Sequence, residues 1–294
     1  MKFGAFSVAA AAKVNLYLHV VGKRADGYHL LDSLVAFVSV YDTLSVSSAT
    51  ELSLAIDGPF SSALGSGPEN LVLRAARRLA AYAPQTPCAA ITLTKRLPVA
   101  SGIGGGSADA AAALRALAKL WNLSLSVDQS MAIALALGAD VPMCLAGRSA
   151  FVGGIGELLE SSPTLPAAGI LLVNPGIAVA TPDVFRARRG DFSTPGRFSE
   201  VPYDARALAG ILASRQNDLT EPAMSICPAI GDVLDALRGA PGCRLARMSG
   251  SGATCFGLFD DEGAASRAAQ SLARPPWWVA PGRLLHDTSC LACE

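Results

Sequence analysis

The segment Pro98-Val99-Ala100-Ser101-Gly102-Ile103-Gly104-Gly105-Gly106-Ser107-Ala108 sets four glycines directly before an alanine-rich run. Glycine lets a backbone turn tightly and approach a ligand without a Cβ collision. A helix that starts there presents unpaired N–H groups and the positive end of its dipole, which suits phosphate. Ser107 or Asp109 can alternatively serve as a plain N-cap. The segment is not a G-x-x-x-x-G-K-[ST] loop, because it has no lysine at the required place. Nor is it a dinucleotide fingerprint, since Ser107 occupies the last glycine position. Alone, it supports a phosphate site, with a glycine turn as the competing reading.

Three further places carry chemistry. In Ala12-Lys13-Val14-Asn15-Leu16 a lysine and an asparagine stand two residues apart, on one face of an expected strand. Burying that face is costly without a partner or ligand. Gly138-Ala139-Asp140-Val141-Pro142 holds a carboxylate in a glycine–proline turn, either as a reactive group or as an ordinary capping aspartate. Ser249-Gly250-Ser251-Gly252 is a second glycine cluster. It is not a nucleophile elbow, because Ser249 stands where G-x-S-x-G needs glycine.

The elements that must position these groups mix strands with helices. Ser7–Val21, Ser33–Ser47, Glu51–Ile56 and Ala89–Thr94 read as strands, and Asn70–Tyr82 as an amphipathic helix. Ser107–Leu120 and Asp128–Leu137 read as two helices buried on several faces, the second closed by a left-handed Gly138. A Pro/Ser/Ala-rich stretch between Ser161 and Gly169 marks a boundary, dividing the chain at 1–160 and 161–294. Beyond it come strands at Ile170–Asn174, around Leu245 and Cys255 and near Trp277. Helices are expected near Tyr203–Ser214, Pro228–Arg238 and Glu262–Leu272.

With 294 residues, 51% of them hydrophobic, the chain can bury an extensive core. Lys plus Arg equals Asp plus Glu at 24 each, so no global field recruits nucleic acid or acidic membrane, and oligomeric state is left open. The expected partner is a small molecule. Seven scattered cysteines read as reduced thiols of a cytoplasmic protein, with Cys290 and Cys293 a lone C-x-x-C in a functionless terminus. No stretch is apolar for the roughly 20 residues a membrane helix needs.

Together the two glycine clusters, Ala12–Leu16, Arg24-Ala25-Asp26-Gly27-Tyr28-His29, Lys95-Arg96-Leu97-Pro98, Gly138–Pro142 and Asn217-Asp218-Leu219 resemble the GHMP kinases. This superfamily includes galactokinase, homoserine kinase, mevalonate kinase and phosphomevalonate kinase. The Arg24–His29 block with Ala12–Leu16 is similar to the members whose acceptor is a cytidine-diphosphate-linked methylerythritol; a mevalonate, homoserine or sugar kinase is the alternative. Ala108 stands where a second serine is usual.

The resemblance implies an α+β fold of two lobes, a ribosomal-protein-S5-domain-2-like N-terminal lobe that binds ATP and a ferredoxin-like C-terminal lobe. It implies transfer of the ATP γ-phosphoryl group to the acceptor's 2-hydroxyl, with Mg²⁺ bridging phosphate oxygens and no dedicated acidic metal cluster. Asp140 would accept the hydroxyl proton while Lys13 stabilises developing charge. The Pro98–Ala108 loop would face the phosphates and Lys95 would lie near the adenosine. Tyr28 and His29 would meet the cytosine with Phe185 stacking from the other side, and Asn15 and Thr181 would contact the acceptor. His19 and His286 are given no role.

Overall fold

The computed structural model describes residues 6–82 and 88–291. β1 (Phe6–Lys23) and β2 (His29–Ser47) form a long antiparallel pair of small and β-branched residues. Their register slips between Ala11 and Lys13 and again between Asn15 and Tyr17. Bulges re-aim side chains and break a ladder locally. Here they bracket Lys13 and Asn15, and the freed Lys13 N–H donates to the Ile103 carbonyl at 3.0 Å.

β2 also pairs with β4 (Ala89–Thr94), which runs parallel to β3 (Leu52–Asp57), and with β5 (Ala150–Gly154), which pairs in turn with β6 (Leu158–Ser161). One face is covered by α1 (Leu71–Ala80), α2 (Gly105–Leu120), α3 (Val127–Leu135) and α4 (Val141–Ala146). Alanine dominates α2 because it lies between the sheet, α1 and α4; small side chains allow that close approach, and Ala110 to Ala113 are all fully buried.

β7 (Gly169–Asn174), β9 (Cys255–Phe259) and β8 (Leu245–Met248) continue the sheet, flanked by α5 (Thr181–Ala187), α6 (Ala205–Ala213), α7 (Thr220–Ile226), α8 (Ala229–Gly239) and α9 (Glu262–Leu272). β10 (Trp278–Leu285) pairs with β7 along Trp278–Arg283 and with β2 at Leu284 and Leu285. One sheet therefore runs through the whole molecule. β1 is its spine: Ala10 and Ala11 belong to the first core cluster, Val14 and Leu16 to a central one, and Leu18 and Val20 to the last.

Several expectations are corrected. α2 begins at Gly105, and its N-cap is the left-handed Gly104 (φ 66°) with no side-chain cap, so neither Ser107 nor Asp109 caps it. α3 ends at Leu135 and buries only Ile133 and Ala134, because Asp128, Gln129 and Ser130 turn outward with Val127 and Leu135. Gly138 does not take the left-handed conformation; Gly147 does (φ 65°), closing α4. β5, β6, α4, α5 and α7 are short elements that pattern alone does not reveal. Cys290 is exposed, whereas Cys293 lies outside the described residues. Among the described residues no helix is long and apolar enough to cross a membrane.

Candidate active site

A cleft of about 880 Å³ opens between the start of α2, the Lys13–Asn15 stretch of β1, the start of α4 and the second glycine cluster. Because no side chain caps α2, its first N–H groups are left to whatever enters the cleft. Gly104 is required twice over. Its backbone is left-handed, and a Cβ there would stand 2.7 Å from Lys13 Cγ, so glycine lets the lysine stem pass beneath the loop.

Lys13 Nζ donates to Asn15 Oδ1 at 2.8 Å and stands 3.3 Å from Asp140 Oδ2. Asp140 occupies the N-cap position of α4 but makes no capping hydrogen bond, and its side chain is 46% exposed toward the cleft. The capping reading of this aspartate is thereby removed. Asn15 is fixed from three sides: its Nδ2 donates to Ser33 Oγ at 2.8 Å, its backbone N–H donates to Ser249 Oγ at 3.1 Å, and Lys13 takes its Oδ1.

The two glycine clusters are latched together. Ser249 Oγ donates to the Gly102 carbonyl at 2.9 Å, and Thr254 N–H donates to the Ser101 carbonyl at 3.1 Å. Asn217 Nδ2 donates at 2.8 Å to the carbonyls of both Met248 and Gly250, holding the second cluster in shape. Thr181 Oγ1 and Ser251 Oγ lie 2.7 Å apart, tying the start of α5 to the same cluster. In the sequence Ser249 and Ser251 are only members of a glycine motif; their bonds to residues far along the chain leave no local pattern.

Of the expected nucleotide residues, Pro98, Val99, Ala100, Ser101, Gly102, Gly104, Gly105, Gly106 and Ser107 line the cleft, whereas Ile103 and Ala108 are core residues beneath it. Lys95 reaches the cleft floor but is not free to take a ligand, because its ammonium is held by Asp42 (2.5 Å) and Asp109 (2.6 Å) with only 1% of the residue exposed. It stands in a buried ion cluster at the floor of the cleft. An acidic residue inside an alanine run, Asp109, was the available signal.

At the acceptor end Phe185 lines the cleft, and His29 stacks on it with ring centroids 5.1 Å apart and an interplanar angle of 21°. That spacing leaves no room for a base between these two rings, so they form a stacked pair at the rim, while the outer faces stay open. Tyr28 stands 61% exposed beside it. Burial first, then the charges of Lys23 and Arg188, pull the His29 pKa below its ordinary value and keep the imidazole neutral. His19 is satisfied structurally, with Nδ1 at 2.8 Å from the Thr194 carbonyl and Nε2 accepting from Gln216 N–H.

No group of three or more His, Cys, Asp or Glu among the described residues is placed to hold a metal ion. The donor set does not fit a protein cage for Mg²⁺, and no residue is assigned to one.

Residues 70–148 match the GHMP kinases N terminal domain and residues 204–276 the GHMP kinases C terminal. The chain is 55% identical, over 95% of its length and 99% of the relative's, to a protein of Paramagnetospirillum magneticum named 4-diphosphocytidyl-2-C-methyl-D-erythritol kinase. A crystal structure of a 4-(cytidine 5'-diphospho)-2C-methyl-D-erythritol kinase matches with a TM-score of 0.77 and 37% identity, covering 95% of this chain and 98% of that one. A homoserine kinase from Cytophaga hutchinsonii matches with a TM-score of 0.70 at 19% identity, covering 97% and 95%, and shares the fold.

Proposed function

The chain belongs to the GHMP kinases and, within them, to the 4-diphosphocytidyl-2-C-methyl-D-erythritol kinases; from that premise we propose that it moves the γ-phosphoryl group of ATP onto the 2-hydroxyl of 4-diphosphocytidyl-2-C-methyl-D-erythritol, in the non-mevalonate route to isoprenoid precursors. The observation that carries the mechanism is Asp140, free of capping bonds and 3.3 Å from Lys13, in the same cleft as an uncapped helix start.

Phosphoryl transfer asks a protein mainly to align two reactants and to neutralise charge. The free N–H groups at the start of α2 hold the donor's phosphates, with Ser107 beside them. Asp140 accepts the proton of the attacking hydroxyl, and Lys13 places its positive charge where negative charge develops on that oxygen. Asn15 and Thr181 contact the acceptor. The neutral His29 offers one donor and one acceptor to the cytosine edge, while its stack on Phe185 fixes its ring plane. No described residue is assigned to hold Mg²⁺, which would supply charge neutralisation at the donor's phosphate oxygens.

The same reading gives the chain a nucleotide lobe at 1–160 and a second lobe at 161–294, a division supported by the different core clusters at its two ends. It places the enzyme in the cytoplasm, in keeping with free cysteines at every described position. The test is ADP release with the cytidylyl substrate, mevalonate and homoserine in parallel. Turnover confined to the cytidylyl substrate is expected; preference for either other acceptor would overturn the assignment.

A further inference from the structure

Beneath the phosphate loop lies a buried charge cluster that the transfer chemistry does not use. Lys95 Nζ sits between Asp42 Oδ2 (2.5 Å) and Asp109 Oδ2 (2.6 Å), and the three residues are 1%, 0% and 2% exposed. A Cβ on Gly105 would stand 3.1 Å from that Nζ, so the ammonium lies directly under the first residue of α2. With both acids ionised, the cluster carries one surplus negative charge under a site meant for anions. Asp42 is fully engaged, its Oδ1 accepting from the N–H groups of Arg96 and Leu97. Asp109 uses only Oδ2; its Oδ1 is buried without a hydrogen-bond partner. The surplus charge therefore resides on Asp109.

Few other charged groups face this spot. β1 contributes Lys13 and β2 contributes Asp42, while α4 contributes the buried Cys144, with Asp140 at that helix's start in the same cleft. Arg115, further along α2, is turned to the Cys144 and Leu145 carbonyls. α1 packs Val72, Ala75, Ala76 and Leu79 inward and keeps Arg77 and Arg78 exposed, with Arg74 half-buried and Glu69 exposed before it. Burial dominates, and it pushes the Asp109 carboxyl up to about 7 against the opposing pull of Lys95. Asp42 is within hydrogen-bonding reach of the protonated acid.

We propose that Asp109 is a positioning residue for the nucleotide: the polyphosphate settles on the loop when Asp109 carries a proton, so nucleotide binding draws one proton from the buffer onto the Asp109 carboxylate. This rests on reading the loop as the ATP phosphate site. Each added negative charge above the cluster raises the acid's hold on its proton, and by linkage the ionised acid weakens nucleotide binding. Affinity is full below the free enzyme's transition near neutrality. It falls as pH rises, by up to about tenfold per pH unit while the complex remains protonated.

The test is calorimetric titration of the full-length enzyme with ADP near pH 8, in buffers of different ionisation enthalpy, beside Asp109→Asn. The wild type is expected to take up about one proton and to weaken about tenfold per pH unit above neutrality, whereas Asp109→Asn takes up none and binds ADP with flat pH dependence. Absence of uptake by the wild type, or equal uptake by the variant, would overturn the proposal. Should Asp109→Asn not fold, adenosine replaces it as the control. Uptake with ADP and none with adenosine supports the inference, and equal uptake with both sinks it. Failure of ADP to bind at all would bring down the loop assignment itself, and this inference with it.

Discussion

Asp140 is available because α4 does without it. A six-residue helix with an uncapped start leaves the carboxylate free to meet Lys13 at 3.3 Å instead of its own backbone. Asp140→Asn keeps the shape and removes the base, so kcat is expected to fall by about a hundred- to ten-thousand-fold while the ADP dissociation constant stays within about twofold. Single-turnover kinetics beside ADP titration separates the two, and retained turnover would remove Asp140 from the role of base. His29 gives a second prediction at this scale. Burial, with Lys23 and Arg188 behind it, holds the imidazole neutral below its ordinary range. KM for the cytidylyl substrate should stay level through neutrality and rise only on acidification, as the ring takes a proton and loses its acceptor. Lys23→Gln relieves part of that repulsion and should move the rise to higher pH, read from the pH dependence of KM.

Between elements, the latch of the two glycine clusters decides which glycines the fold needs. A Cβ on Gly102 would meet the Ser249 carbonyl oxygen at 2.4 Å, from a left-handed backbone (φ 77°). Gly102→Ala should therefore cost about 1–3 kcal/mol, seen as a lowered Tm, together with a raised KM for ATP. At Gly106 a Cβ would find only Leu71 Cδ1 at 3.6 Å, an ordinary contact inside a helix. Gly106→Ala should melt no lower than wild type, with any change confined to nucleotide binding. The glycine-rich stretch was legible in the sequence because turn chemistry is local. So were Lys13 and Asn15, whose spacing puts them on one face of a strand. The ion cluster of Lys95 was not, because its partners on β2 and α2 meet only through tertiary packing. The same holds for the His29–Phe185 stack. α3 misled for the opposite reason: its alanines and leucines look buried in any short window, but just one of its edges touches the core.

Across the whole molecule, the end of the described chain returns to the beginning. β10 joins β7 to β2; then Asp287 bridges to Arg148, and Thr288 N–H donates to the Gly147 carbonyl at 2.8 Å. Gly147 closes the helix that Asp140 opens, so this distant segment supports the element that carries the proposed base. Truncation after Leu285 should lower both Tm and kcat, and measuring kcat well below the melting transition distinguishes loss of support from loss of fold. Unchanged kcat would detach the segment from the site. The latch between Gly102 and Ser249 also sets an order in time. On a ribosome the phosphate loop emerges roughly ten seconds before its clasp at 249–252, at the usual pace of synthesis. Until the last fifth of the chain is made, the nascent chain holds the proposed donor loop without its fastening, and the loop is latched only once Lys13, Asn15 and Asp140, the residues proposed to face the acceptor, have already been made.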